Sequence, residues 1–97
     1  MVIGSLTVRL LVRESRTLKD KRQVVRSILD RMRSGFNVSA GEVDTHDDVK
    51  VATLGFAAVG FEPAAVKHVL QQIAEALRTH PVAEYLGAET SVGSEVV

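Results

Sequence analysis

The chain contains no cysteine and no tryptophan. Disulfides, thiolate nucleophiles and cysteine-bound zinc are therefore excluded, and a cytoplasmic location is the simplest expectation. Proline occurs only twice, so no proline-rich linker divides the 97 residues, and 1–97 reads as a single domain. No apolar run approaches the ~20 residues that cross a bilayer, and Arg9 interrupts the apolar start. No small-residue cleavage site follows that start, so neither a membrane span nor a signal peptide is expected. Asn37 is the only asparagine and arginine outnumbers lysine eight to four, a composition that hints at a thermophile.

Net charge is also lacking, at zero, but the charges are segregated. Residues 9–33 hold nine basic side chains against Glu14, Asp20 and Asp30. Residues 34–97 hold Lys50, Lys67 and Arg78 against nine acids. A neutral chain thus hides a basic third, which points to an anionic partner or to association between opposite faces. The apolar share of 45 % and charged share of 25 % are those of an ordinary globular domain.

Residues 2–13 alternate, with Val2, Leu6, Val8, Leu10 and Val12 on one face, which predicts a half-buried strand. The other face keeps Ile3 and Leu11 among polar residues. The period then becomes helical. Leu18, Val25, Ile28, Leu29 and Met32 fall within about 100° of arc. Thr17 is the expected N-cap, with Asp20 three residues on, and Gly35 the expected left-handed stop. Residues 36–43 read as a second strand and 44–48 as a polar turn. Residues 49–60 read as a third strand, with Val51, Ala57 and Val59 on one face and Ala52, Leu54, Phe56 and Ala58 on the other. Two apolar faces imply a central strand covered on both sides.

Pro63 opens a second helix, and Phe61 and Val66 have the spacing of a hydrophobic staple. Its stripe of Val66, Val69, Leu70, Ile73 and Leu77 repeats Val25, Ile28, Leu29, Met32 and Phe36 at a constant offset. Pro81 ends this helix, residues 84–93 form a weaker last strand, and 94–97 are expected to fray. The order β-α-β-β-α-β in two similar halves indicates an α+β ferredoxin-like fold: a four-stranded antiparallel sheet with two helices on one face. A ladder of βαβ units with a parallel sheet is the rival, and the tight turn at 44–48 favours the hairpin.

Thr17-Leu18-Lys19-Asp20-Lys21-Arg22, then Phe36-Asn37-Val38-Ser39-Ala40 and Glu42-Val43-Asp44, resemble the bacterial YlxP-like family over nearly the whole chain. The resemblance implies a ferredoxin-like fold and a gene neighbourhood of translation and ribosome-maturation genes. It carries over no catalytic residue. Family members often have an aromatic near the start of the third strand, where this chain has Asp48-Val49.

With Val25 at the centre of the first helix's apolar arc, Arg22, Arg33, Arg26 and Lys19 lie at about 60°, 80°, 100° and 120°. Four cations thus share one flank. Guanidinium groups bind phosphate bidentately, and a helix N-terminus at Thr17–Lys19, with Arg13, Ser15 and Arg16, offers further N–H donors to an anion. The alternative is a solvated face on which Asp30 pairs with Arg26 and Arg33. Aromatic base-stacking platforms of RNA-recognition motifs are missing, since only Phe56 stands on a central strand. Asp44, His46, Asp47 and Asp48 read as a turn rather than a metal site, and His68 and His80 as structural. No nucleophile elbow or glycine-rich nucleotide cradle occurs, so neither an enzyme nor a cofactor is specified.

The reading that follows is a homodimeric, non-enzymatic module binding RNA or a ribosomal partner through Arg13, Arg16, Lys19, Lys21, Arg22 and Arg26. Lys21 lies nearest the apolar stripe. Two alternatives remain. One is a protein–protein adaptor or homodimer using the open sheet face, which predicts that a charge at Phe56 or Val51 abolishes partner capture. The other is an enzyme subunit regulated by a phosphate ligand.

Overall fold

Alternating apolar residues turn to one side of a pleated strand, and a stripe at period 3.6 turns to one side of a helix. The computed structural model, which describes residues 1–94, builds its elements on these two periods. They are β1 (Val2–Leu11), α1 (Leu18–Gly35), β2 (Ser39–Asp44), β3 (Val51–Gly60), α2 (Pro63–Arg78) and β4 (Glu84–Ser94). The strands form one sheet in the order β2-β3-β1-β4, with every neighbouring pair antiparallel. This is the ferredoxin-like α+β arrangement, with β1 and β3 central and β2 and β4 at the edges. Residues 95–97, on which most of the expected fraying fell, lie outside the described residues.

The even-numbered side chains of β1 and β3 form the floor of the core. Leu6, Val8, Leu10, Ala52, Leu54, Phe56 and Ala58 are buried there, beneath Val25, Ile28, Leu29 and Met32 of α1 and Val66, Leu70, Ile73 and Leu77 of α2. α2 lies over β1, β3 and β4, and α1 runs along β2. The closest approach is at Val66. A Cβ on Gly4 would stand 2.6 Å from Val66 Cγ1, and one on Gly60 would stand 2.8 Å from Val66 Cγ2. Val66 therefore seats in a notch that only two glycines leave open.

Four local expectations are corrected. The second and third strands start later than 36 and 49, at Ser39 and Val51. Gly35 is the last helical residue and no glycine has positive φ. The helix instead ends through Phe36 in extended backbone, whose N–H reaches Met32 O and whose ring packs against the core. The staple does not form. Phe61 continues the alternation of β3 onto the far face and is 89 % exposed, while Val66 turns the other way into the glycine notch. Phe56 is buried under the helices at 2 % exposure, so it is absent from the open face.

The open face carries the odd-numbered residues. Ile3, Ala57 and Val59 are exposed, and Ser5, Thr7 and Gly41 leave it shallow. β3 is central, as its two apolar faces require, but among the described residues no helix covers its second face. Val43 stands in a bulge of β2 and lies over Gly55, where a Cβ would be 2.6 Å from Val43 Cγ1.

Candidate functional site: the cationic flank of the first helix

Thr17 opens α1 with a complete capping box. Its hydroxyl accepts the Asp20 N–H at 3.1 Å, and the Asp20 carboxylate accepts the Thr17 and Arg16 N–H groups at 3.1 and 3.0 Å. Those bonds, the one from Arg16 foremost, hold the Asp20 carboxyl below its ordinary value. The negative charge in the first turn also opposes the positive end of the helix dipole. Ser15 is buried and donates to Thr17 O at 3.1 Å. Arg13 is paired with Glu84 at 2.6 Å. The anion pocket expected at the start of the helix is thus filled by the protein's own groups.

Lys21 differs most from expectation. It is 0 % exposed and is enclosed with the core rather than presented to a ligand. Its Nζ donates to Thr45 O at 2.6 Å and Val51 O at 3.1 Å, and stands 3.2 Å from Glu42 Oε2. Two of its N–H groups bond to carbonyl oxygens, and the charge stands beside the carboxylate. The Glu42 oxygen is buried without a well-aligned hydrogen bond, so its proximity to Lys21 is its compensation. The ammonium ties α1 to both ends of the β2–β3 connection. The signal was present in the sequence: by the 100° step Lys21 falls at about −40°, inside the arc from Ile28 to Leu29.

The acidic connection serves the same purpose. Thr45 takes the left-handed backbone, with φ 57°, and its N–H donates to Asp44 Oδ1 at 2.7 Å. Its hydroxyl lies 2.8 Å from that of the buried Thr53. Asp48 Oδ1 accepts the N–H groups of Val51 and Lys50, each at 2.8 Å. These bonds, with the nearby Lys21 charge, hold its carboxyl below the ordinary value. The segment is a polar turn, and among the described residues no group of three metal-ligating side chains converges.

What remains of the predicted site is Arg16, Lys19, Arg22 and Arg26. All four are exposed, and none forms an ion pair among the described residues. Arg33 closes the flank at its far end. Its guanidinium donates to Ala40 O at 2.6 Å and meets Asp30 at 3.3 Å. Asp30 pairs with Arg33 alone and leaves Arg26 free of the expected neutralisation. Because Arg33 reaches β2, the flank overhangs the free edge of the sheet.

The fold and this flank define a small ferredoxin-like α+β domain with a solvent-facing cationic ridge. No described helix is long and apolar enough to cross a membrane. The family model described as "Protein of unknown function (DUF503)" matches residues 3–90, and the chain belongs to that family. The chain is similar to "Uncharacterized protein YlxP" of Bacillus subtilis (strain 168), with 29 % identity over 83 residues, covering 86 % of this chain and 90 % of that protein. The resemblance read from Thr17–Arg22 and Phe36–Ala40 therefore holds.

Proposed function

We propose that the protein is a non-enzymatic RNA-binding module that grips phosphates of ribosomal RNA with Arg16, Lys19, Arg22 and Arg26. One observation carries this reading: these four cations are exposed together without carboxylate partners among the described residues, whereas Arg13, Lys21 and Arg33 are engaged internally. The gene neighbourhood implied by the family resemblance agrees with it. Phe56 is buried and Phe61 lies beyond the end of β3, so the central strands present no aromatic platform and the grip is on the backbone rather than on stacked bases.

Binding to ribosomal and unrelated RNA across a salt series tests the proposal. Four phosphate contacts give a log–log slope of about −3, so affinity falls roughly 50-fold between 50 and 200 mM salt. An Arg22→Glu/Arg26→Glu variant, confirmed as folded by circular dichroism, binds more weakly with a shallower slope. Absence of RNA binding by the wild type at low salt overturns the reading. So does an unchanged slope in the variant.

A further inference from the structure

The open face has a pattern that neither the cationic flank nor the core uses. Five rows run across the sheet by register, one of them Ser39–Ala57–Ser5–Ser91. Val59 and Ile3 lie side by side, as do Val51 and Leu11 further along. Between them runs a row Asp44–Thr53–Arg9–Gly87, and next to it a row Gly41–Gly55–Thr7–Glu89. The Val59–Ile3 and Val51–Leu11 rows are apolar at their centre, and the rows of Arg9 and Thr7 each have a charged side chain at one end and a glycine at the other. Shallow depressions of about 500 and 390 Å³ lie over Gly41, beside Val43 where it covers Gly55, and over Gly87.

We infer that this face is a two-fold interface with a second copy of the chain, the rotation axis running along the strands between β1 and β3. That rotation keeps every row level and exchanges its two halves, so β1 of one copy overlies β3 of the other and β4 overlies β2. Ile3 then meets Val59 of the second copy, and Leu11 meets Val51. Arg9 lies over Thr53 of the second copy with the second copy's Asp44 at its side, and Gly87 makes room for that carboxylate. Glu89 enters the depression over Gly41. Exposed Met1 and Phe61 extend the apolar end, next to the paired Val2 and Gly60.

An axis across the strands at the central Thr7 row sets Glu89 upon Glu89 and leaves Arg9 over Ser5. Like charges opposed at an interface cost specificity and affinity, so the register selects the axis along the strands. Sheets packed this way belong to the aligned class. Strands about 4.8 Å apart with about 3.3 Å per residue present roughly 500–600 Å² of face per copy. Two such faces reach the ~1,000 Å² that a specific interface requires. Both helices lie on the other side, so the cationic ridge stays free and the interface does not depend on the RNA reading.

Sedimentation of the full chain at tens of micromolar tests the inference. The expected mass is twice the 10.5 kDa of the chain. Arg9→Asp and Asp44→Arg each weaken association by roughly 30-fold or more, and the double exchange restores it, because the pair is remade between copies. Ala57→Arg, at an exposed strand position that leaves folding intact, dissociates the dimer by itself. A monomeric wild type overturns the inference. So does a dimer indifferent to Ala57→Arg, or one in which the charge exchange fails to restore association while the variants remain folded.

Discussion

Replacing Lys21 by methionine keeps the length of the side chain and removes only its charge and donors. The Thr45 and Val51 carbonyls then lose contacts of 2.6 and 3.1 Å, and Glu42 Oε2 loses the cation beside it, at 3.2 Å. Removing one member of a buried ion pair costs about 3–5 kcal/mol. Glu42 is 13 % exposed and can turn partly to water, so the lower end, about 3 kcal/mol, applies. A domain of this size has about 5–15 kcal/mol in total, and each kcal/mol moves Tm by about 4–8 °C. Urea unfolding followed by circular dichroism therefore shows a loss of about 3 kcal/mol, and heating shows a Tm fall of about 12–24 °C. Adding Glu42→Leu removes the stranded carboxylate and recovers at least half the loss, giving a coupling energy of about 1.5 kcal/mol or more. The salt slope of RNA binding by folded Lys21→Met stays unchanged, since this ammonium never reaches the surface. A cost below about 1 kcal/mol, in the range of ordinary surface substitutions, refutes the argument.

Two further outcomes follow from the packing and from His80. Gly4→Ala forces a Cβ to within 2.6 Å of Val66 Cγ1 and 2.8 Å of Leu70 Cδ1, costing about 1–2 kcal/mol by urea unfolding despite the stiffer unfolded chain. Gly35→Ala, helical and with nothing within 4 Å, gains about 0.5–1 kcal/mol, and equal effects at the two glycines refute the notch. His80 accepts the Val82 N–H on Nδ1 at 3.2 Å, and burial, with the Arg31 charge, holds its pKa below the ordinary 6.5. The unfolded chain therefore takes up this proton more readily. The stabilisation is present above pH 6.5 and is lost as pH falls from there through the lower folded value. Urea midpoints between pH 7.5 and 5 fall less steeply in His80→Gln, and identical pH profiles refute the assignment.

Much of the fold was legible because its period was strong. The alternation of Val2–Val12, the paired helical stripes and the Thr17–Asp20 cap all rest on neighbours in sequence, and all appear at the expected places. Element ends were less legible. Phe36 and Phe61 are governed by which surface lies nearby, and no local rule says that one ring docks on the core while the other faces solvent. The site was legible only in part. The flank of Arg22, Arg26 and Lys19 follows from the helical angle alone. Whether Arg13, Lys21 and Arg33 are free depends on Glu84, Glu42 and Ala40, each on another element.

The sequence by itself determined the order of elements, the faces of the strands and helices, and the concentration of cations on α1, because these depend on separations of a few residues along the chain. Only the tertiary structure decided which cations are consumed within the molecule and which remain for a ligand. It also decided that the second face of β3 stays uncovered by the chain's own helices. Ion pairing and burial are set by distances between residues far apart in sequence, such as Lys21 and Val51, and those distances exist only once the sheet has closed against its helices.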